Sequence, residues 1–109
     1  MKLNILDIGG KVVKDDERYV VKDKSLLNNL VVSSTDLKPG KSTSGHDHPG
    51  QEEVYNFVKG SGKMKVDDEI FKVKEGDVIL IEDGKFHQVI NDTKENLYFV
   101  CGVDGSRSH

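Results

Sequence analysis

The chain has 109 residues, with 16 Lys plus Arg against 19 Asp plus Glu and a single Cys. That length suits one core, and a lone Cys excludes an internal disulfide. Acids interleaved with bases leave no basic block to neutralise phosphates, so nucleic acid is not an expected partner.

Short runs rich in Val, Ile, Tyr and Phe recur, each closed by Gly, Asp, Asn or Lys, and this pattern predicts an all-β sandwich or barrel. In chain order the expected strands are 3–8, 11–14, 18–22, 28–37, 43–48, 53–59, 62–66, 69–74, 78–82, 86–91 and 96–103. A short helical turn is an alternative for 24–29, where Leu26, Leu27 and Leu30 have helical spacing. Phe71 and Val73 alternate with Lys72 and Lys74, which predicts one wet and one packed face. The apolar run Val78, Ile79, Leu80, Ile81 predicts a strand covered on both faces. Turn formers separate these runs at Gly60 to Gly62, Val66 to Glu69, Glu75 to Asp77 and Asp83 to Gly84.

No stretch approaches the ~20 apolar residues of a membrane-spanning helix. The start, MKLNILDIGG, lacks the apolar core and cleavage site of a secretory signal, so a cytoplasmic location without a membrane partner is expected. The tail Gly105, Ser106, Arg107, Ser108, His109 reads as a vector-derived linker entering a histidine tag. The expected domain therefore covers 1–104, and His46, His48 and His87 are left as the natural histidines.

His46 and His48 are two apart, so on an extended strand both imidazoles leave the same face, whereas a helix would splay them. Pro49 favours an extended His48, and Gly50 lets the chain turn into a strand that opens with Gln51, Glu52 and Glu53. A carboxylate, Glu52 or Glu53, is thereby delivered beside the histidines. His87 follows Gly84 into a later strand, where three imidazoles and one carboxylate could converge. Such nitrogen and oxygen donors suit Fe, Mn, Ni, Zn or Cu, and the absence of thiolates argues against a closed structural zinc site.

These residues resemble the cupin superfamily, whose motifs read G-x5-H-x-H-x3,4-E-x6-G and G-x5-P-x-G-x2-H-x3-N. Gly40, His46, His48, Glu53 and Gly60 match the first; Gly76, Gly84, His87 and Asn91 match the second, with Glu82 in place of the proline. The resemblance implies a cupin double-stranded β-helix, a jelly-roll-like barrel, with one divalent metal ion per chain on His46, His48, Glu53 and His87. It selects Glu53 over Glu52, because Glu53 keeps the six-residue interval to Gly60. It also implies a homodimer, in which N-terminal strands add to the partner's sheet.

Tyr55 and Phe57 share the parity of Glu53 and should point inward; Tyr55 is a candidate proton donor and Phe57 a pocket-lining residue. Cys101, in an apolar strand, is expected beside them as a small buried hydrophobe. Asp104 abuts the tail and is expected to fray. Alternating Lys63, Lys65, Lys72 and Lys74 read as solvated faces, and Asn91 as a turn residue. The functional expectation is a metalloenzyme for a small organic acid or sugar derivative, of isomerase, lyase or dioxygenase type. The alternative is a binding or sensor module without turnover.

Overall fold

The computed structural model describes residues 1–47 and 49–104. The expectations for His48 and for the tail 105–109 lie outside the described residues. Nine strands form: β1 (Lys11–Asp15), β2 (Tyr19–Lys24), β3 (Leu30–Leu37), β4 (Glu53–Lys59), β5 (Ser61–Val66), β6 (Glu69–Lys74), β7 (Val78–Ile81), β8 (His87–Ile90) and β9 (Leu97–Asp104). They build a six-stranded antiparallel sheet in the order β1-β2-β3-β9-β4-β7 and a three-stranded one in the order β6-β5-β8.

Alternation decides which face of each strand is buried. Along β4, Glu53, Tyr55 and Phe57 point into the core while Val54 stays exposed, the period-two pattern of a sheet with one covered face. Between the two sheets Tyr19, Leu37, Tyr55, Phe57, Met64, Val73, Ile81, Val89, Leu97, Phe99 and Cys101 form one buried cluster. Phe57 and Phe99 meet at 5.4 Å between ring centroids.

Several expectations are corrected. Residues 3–8 do not form a strand; Asn4 and Asp7 make an isolated bridge around a tight turn, and the Tyr98 hydroxyl donates to the Ile5 carbonyl at 2.8 Å. Residues 24–29 contain no helical turn, and Leu26 and Leu27 are exposed. β7 is covered on one face only, because the outer face of the large sheet is open here: Leu80 is 72% exposed and its cross-strand neighbour Val54 on β4 is exposed too, whereas Ile81, on the inner face, is 3% exposed. Asp104 is not frayed; it closes β9 opposite Leu30, and its carbonyl accepts from Gln51 Nε2 at 2.6 Å.

Of the expected strand 43–48, the described residues 43–47 form no regular strand. With Ser42 they run alongside β8 through the bridges Ser42 to Ile90 and His46 to His87. The Val89 N–H donates to Thr43 Oγ1 at 3.0 Å, and Gln88 Nε2 donates to the Thr43 carbonyl at 2.9 Å. Side chains thus supplement the backbone bonds, such as Thr43 N–H to the Val89 carbonyl at 2.9 Å, that hold the segment to β8.

The turn into β8 holds without the motif proline, since the Lys85 N–H donates to the Glu82 carbonyl at 3.2 Å and Gly84 takes φ +76°. Asp67 then fixes the strand entry. Its carboxylate accepts from the Phe86 N–H at 3.1 Å, its own N–H donates to the Phe86 carbonyl at 2.9 Å, and Lys85 pairs with it at 3.2 Å. His87 therefore enters β8 from a braced turn.

Candidate metal centre

His46 and His87 face each other as a doubly bonded antiparallel pair: His87 N–H to His46 O at 3.0 Å and His46 N–H to His87 O at 3.2 Å. Their rings meet edge to face at 4.4 Å between centroids. Glu53, first residue of β4, reaches this pair from the other sheet, so that one ligand atom from each of His46, Glu53 and His87 lies within 4.8 Å of the others. His87 is 2% and Glu53 8% exposed. Glu52, the rival carboxylate, is exposed.

The hydrogen bonds fix what this cluster can hold. His87 Nδ1 lies 3.0 Å from the Lys85 carbonyl, which can only accept, so in the neutral ring Nδ1 carries the hydrogen. The lone pair of Nε2 is then aimed at Glu53 Oε2, with which it is in contact. Two electron pairs buried against each other are unfavourable unless a proton or a cation sits between them. Without a cation a proton takes that place. Burial pushes the His87 pKa down, but the Glu53 hydrogen bond, the Lys85 carbonyl and the charges of Glu53 and Asp47 outweigh it and raise it above 6.5. A divalent ion suits the same donors, and the Lys85 carbonyl is the outer partner that orients a ligating imidazole.

The cluster opens on a cavity of about 440 Å³ across the inner face of the large sheet, bordered by His46, Glu53, Tyr55 and Cys101. Tyr55 packs against Phe57, Phe99 and, edge on, the His87 ring at 5.8 Å. Burial first, and then Cys101 and Glu53, push its phenol well above 10.0, so it is a proton donor and not a base. Cys101, paired with Tyr55 across β4 and β9, is also pushed well up, mainly by burial. Phe57 does not border the cavity; it is 2% exposed and belongs to the packed cluster. Parity alone placed it inward without saying how deep.

Sequence reasoning missed Gln51, Ser33 and Asp23. Gln51 is 3% exposed and its Oε1 is buried without a partner among the described residues. The inward parity it shares with Glu53 was its available signal. Ser33 and Asp23 border the cavity, and nothing local marks them, because their position depends on strand pairing.

A double-stranded β-helix with a His/Glu cluster at one end of its cavity is the class that fold and site define. The chain belongs to the cupin family: the model of the cupin domain matches residues 33–103. It is 28% identical over 106 residues to an uncharacterized protein of Methanocaldococcus jannaschii, covering 84% of this chain and 85% of that one. It is 31% identical over 67 residues to an oxalate-binding protein of Thermotoga maritima, covering 62% of this chain and 55% of that one. Among solved structures, an uncharacterized double-stranded β-helix protein of Klebsiella pneumoniae superposes with a TM-score of 0.83 at 18% identity, over 99% of this chain and 92% of that one. Among the described residues no helix is long and apolar enough to cross a membrane.

Proposed function

We propose that this cupin binds one divalent metal ion through His46, Glu53 and His87, with His48 as the fourth ligand, and acts on a small organic acid or sugar-derived substrate. The observation that carries this reading is the convergence of three ligand atoms within 4.8 Å at the edge of a 440 Å³ cavity. A divalent ion held there supplies positive charge to polarise a carbonyl or carboxylate oxygen. The chain's own residues do the rest. The Lys85 carbonyl orients His87, Phe99 and Val103 line the cavity with apolar surface, and the Tyr55 phenol offers a proton to the substrate. Isomerase or lyase chemistry uses this arrangement most directly; a dioxygenase reaction is the third member of the proposal.

Elemental analysis of protein purified without nickel resin tests the site. Stoichiometric metal in the wild type, lost in His87→Ala and Glu53→Gln, is expected; a wild type without metal defeats the reading. A second reading, ligand binding without turnover, is favoured by the likeness to the oxalate-binding protein. A screen of the metal-loaded chain with uronates and keto acids separates the two, since binding without product formation selects the second.

A further inference from the structure

Strand register places four polar side chains in one line across the inner face of the large sheet. Tyr55 pairs with Cys101, Cys101 with Ser33, and Ser33 with Asp23. All four border the cavity, and with neighbouring strands ~4.8 Å apart the row runs about 14 Å along the sheet from beside Glu53. It carries in turn a phenol, a thiol, a hydroxyl and a carboxylate. Thr35 adds a second hydroxyl on the same strand as Ser33, while the Tyr19 and Phe99 rings offer apolar surface on the same wall.

That sequence of groups describes a ligand. The Asp23 carboxylate, far from the metal cluster, accepts hydrogen bonds from hydroxyls, and Lys14, which borders the same cavity, supplies a cation to an acidic ligand. Ring faces suit the C–H surface of a carbon skeleton. Size permits such a ligand. At ~30 Å³ per heavy atom, the share of a liquid water, oxalate with its six heavy atoms needs no more than ~180 Å³, and a hexuronate with thirteen needs ~390 Å³. The cavity holds about 440 Å³.

We propose that the cavity takes a polyhydroxylated carboxylic acid of sugar size, an aldonate or hexuronate, with its hydroxyls on Ser33 and Asp23. The orientation, acid or carbonyl end toward His46, Glu53 and His87, rests on the metal-site reading above; the hydroxyl contacts do not. Oxalate has no hydroxyl to offer Ser33 or Asp23.

Calorimetric titration of the full chain tests this, first with Mn2+ alone and then, on the loaded protein, with D-galacturonate and with oxalate. Galacturonate is expected to bind about tenfold more tightly than oxalate. Asp23→Asn should weaken galacturonate about tenfold, the scale of a hydrogen bond to a charged group, while Mn2+ and oxalate affinities stay within about twofold. Ser33→Ala should weaken galacturonate by a smaller factor in the same direction. Tighter binding of oxalate, or galacturonate affinity unchanged in both variants, overturns the proposal. Failure of the wild type to bind Mn2+ overturns the metal reading instead. The same Asp23 dependence is then required of galacturonate binding to metal-free protein, and its absence there overturns the ligand proposal too.

Discussion

Glu53 opens β4 in the large sheet and His87 opens β8 in the small one, yet the carboxylate of the first lies against Nε2 of the second. The contact makes proton and metal competitors for one position, which gives opposite pH dependences with and without metal. In metal-free protein the His87 pKa is raised above 6.5 on folding. Its contribution to stability is therefore fully present below the unfolded value and lost as pH rises through the raised one. Metal binding needs Nε2 unprotonated, so metal affinity rises with pH across the same window. Thermal midpoints measured across the neutral range should show the wild type losing stability relative to His87→Gln without metal. The loaded wild type should gain it. Parallel curves for the metal-free pair would refute the assignment.

Glu52 and Glu53 are adjacent and chemically equal, but a strand sends them to opposite faces. Glu53→Gln should lower metal affinity by about 100-fold or more, beyond the 10- to 100-fold typical of losing a partner behind a ligand. Glu52→Gln should leave it within about twofold. Titration with a fluorescent chelator competitor reads both; equal losses would mean that the site is not the one formed by β4 and β8.

What the sequence could reveal followed the range of its signals. Period-two alternation is a local property, so β4 and β6 are legible to the residue, and motif spacing points to His46, His48, Glu53 and His87, of which the described three converge. Whether a second layer covers the outer face of a sheet is not local. Val78 and Leu80 look like core residues by composition, yet they stay exposed on the outer face of the large sheet, as Val54 on neighbouring β4 does. The line from Tyr55 to Asp23 was illegible for the same reason, since it exists only through the register of β2, β3, β9 and β4. Residues 3–8 carry strand-like composition but find no partner strand, and Tyr98 pins them as a turn.

The contrast between covered and bare apolar residues has a stability consequence. Leu37 is fully buried at the centre of the cluster, so Leu37→Ala should destabilise by about 2 to 5 kcal/mol through lost burial and the cavity left behind. Leu80→Ala, on the exposed face of β7, should change stability by no more than about 0.5 kcal/mol. Urea midpoints at constant slope measure both. A large loss for Leu80→Ala would show that its face is covered in solution.

Cys101 borders the cavity, yet burial, reinforced by the Glu53 charge, holds its thiol well above 9.0. The thiolate is the reactive form, so iodoacetamide should label native protein far more slowly than urea-unfolded protein, even at mildly alkaline pH. Bound ligand should slow labelling further by filling the space beside the sulfur. Mass spectrometry gives the rate directly, and fast native labelling would contradict the buried, neutral thiol.

Asn91, the last residue of the second motif, does its work through backbone. It is 1% exposed; its amide donates to the Leu37 carbonyl at 3.0 Å and the Glu95 carbonyl at 2.7 Å, and its oxygen accepts from the Thr93 N–H at 3.0 Å. One side chain thereby ties the end of β8 to the end of β3 and closes the turn that leads toward β9. Asn91→Ala removes three hydrogen bonds to backbone, the one to the buried Leu37 carbonyl among them, and should destabilise by about 1 to 3 kcal/mol. Asn91→Asp keeps the shape but turns a donor into an acceptor facing two carbonyls, so it should cost at least as much near neutral pH and partly recover as acid protonates the new carboxyl. Metal affinity per folded molecule should be unchanged in both variants, because Asn91 touches none of the three converging side chains. A variant that stays stable but loses metal would assign Asn91 to the site and not to the fold.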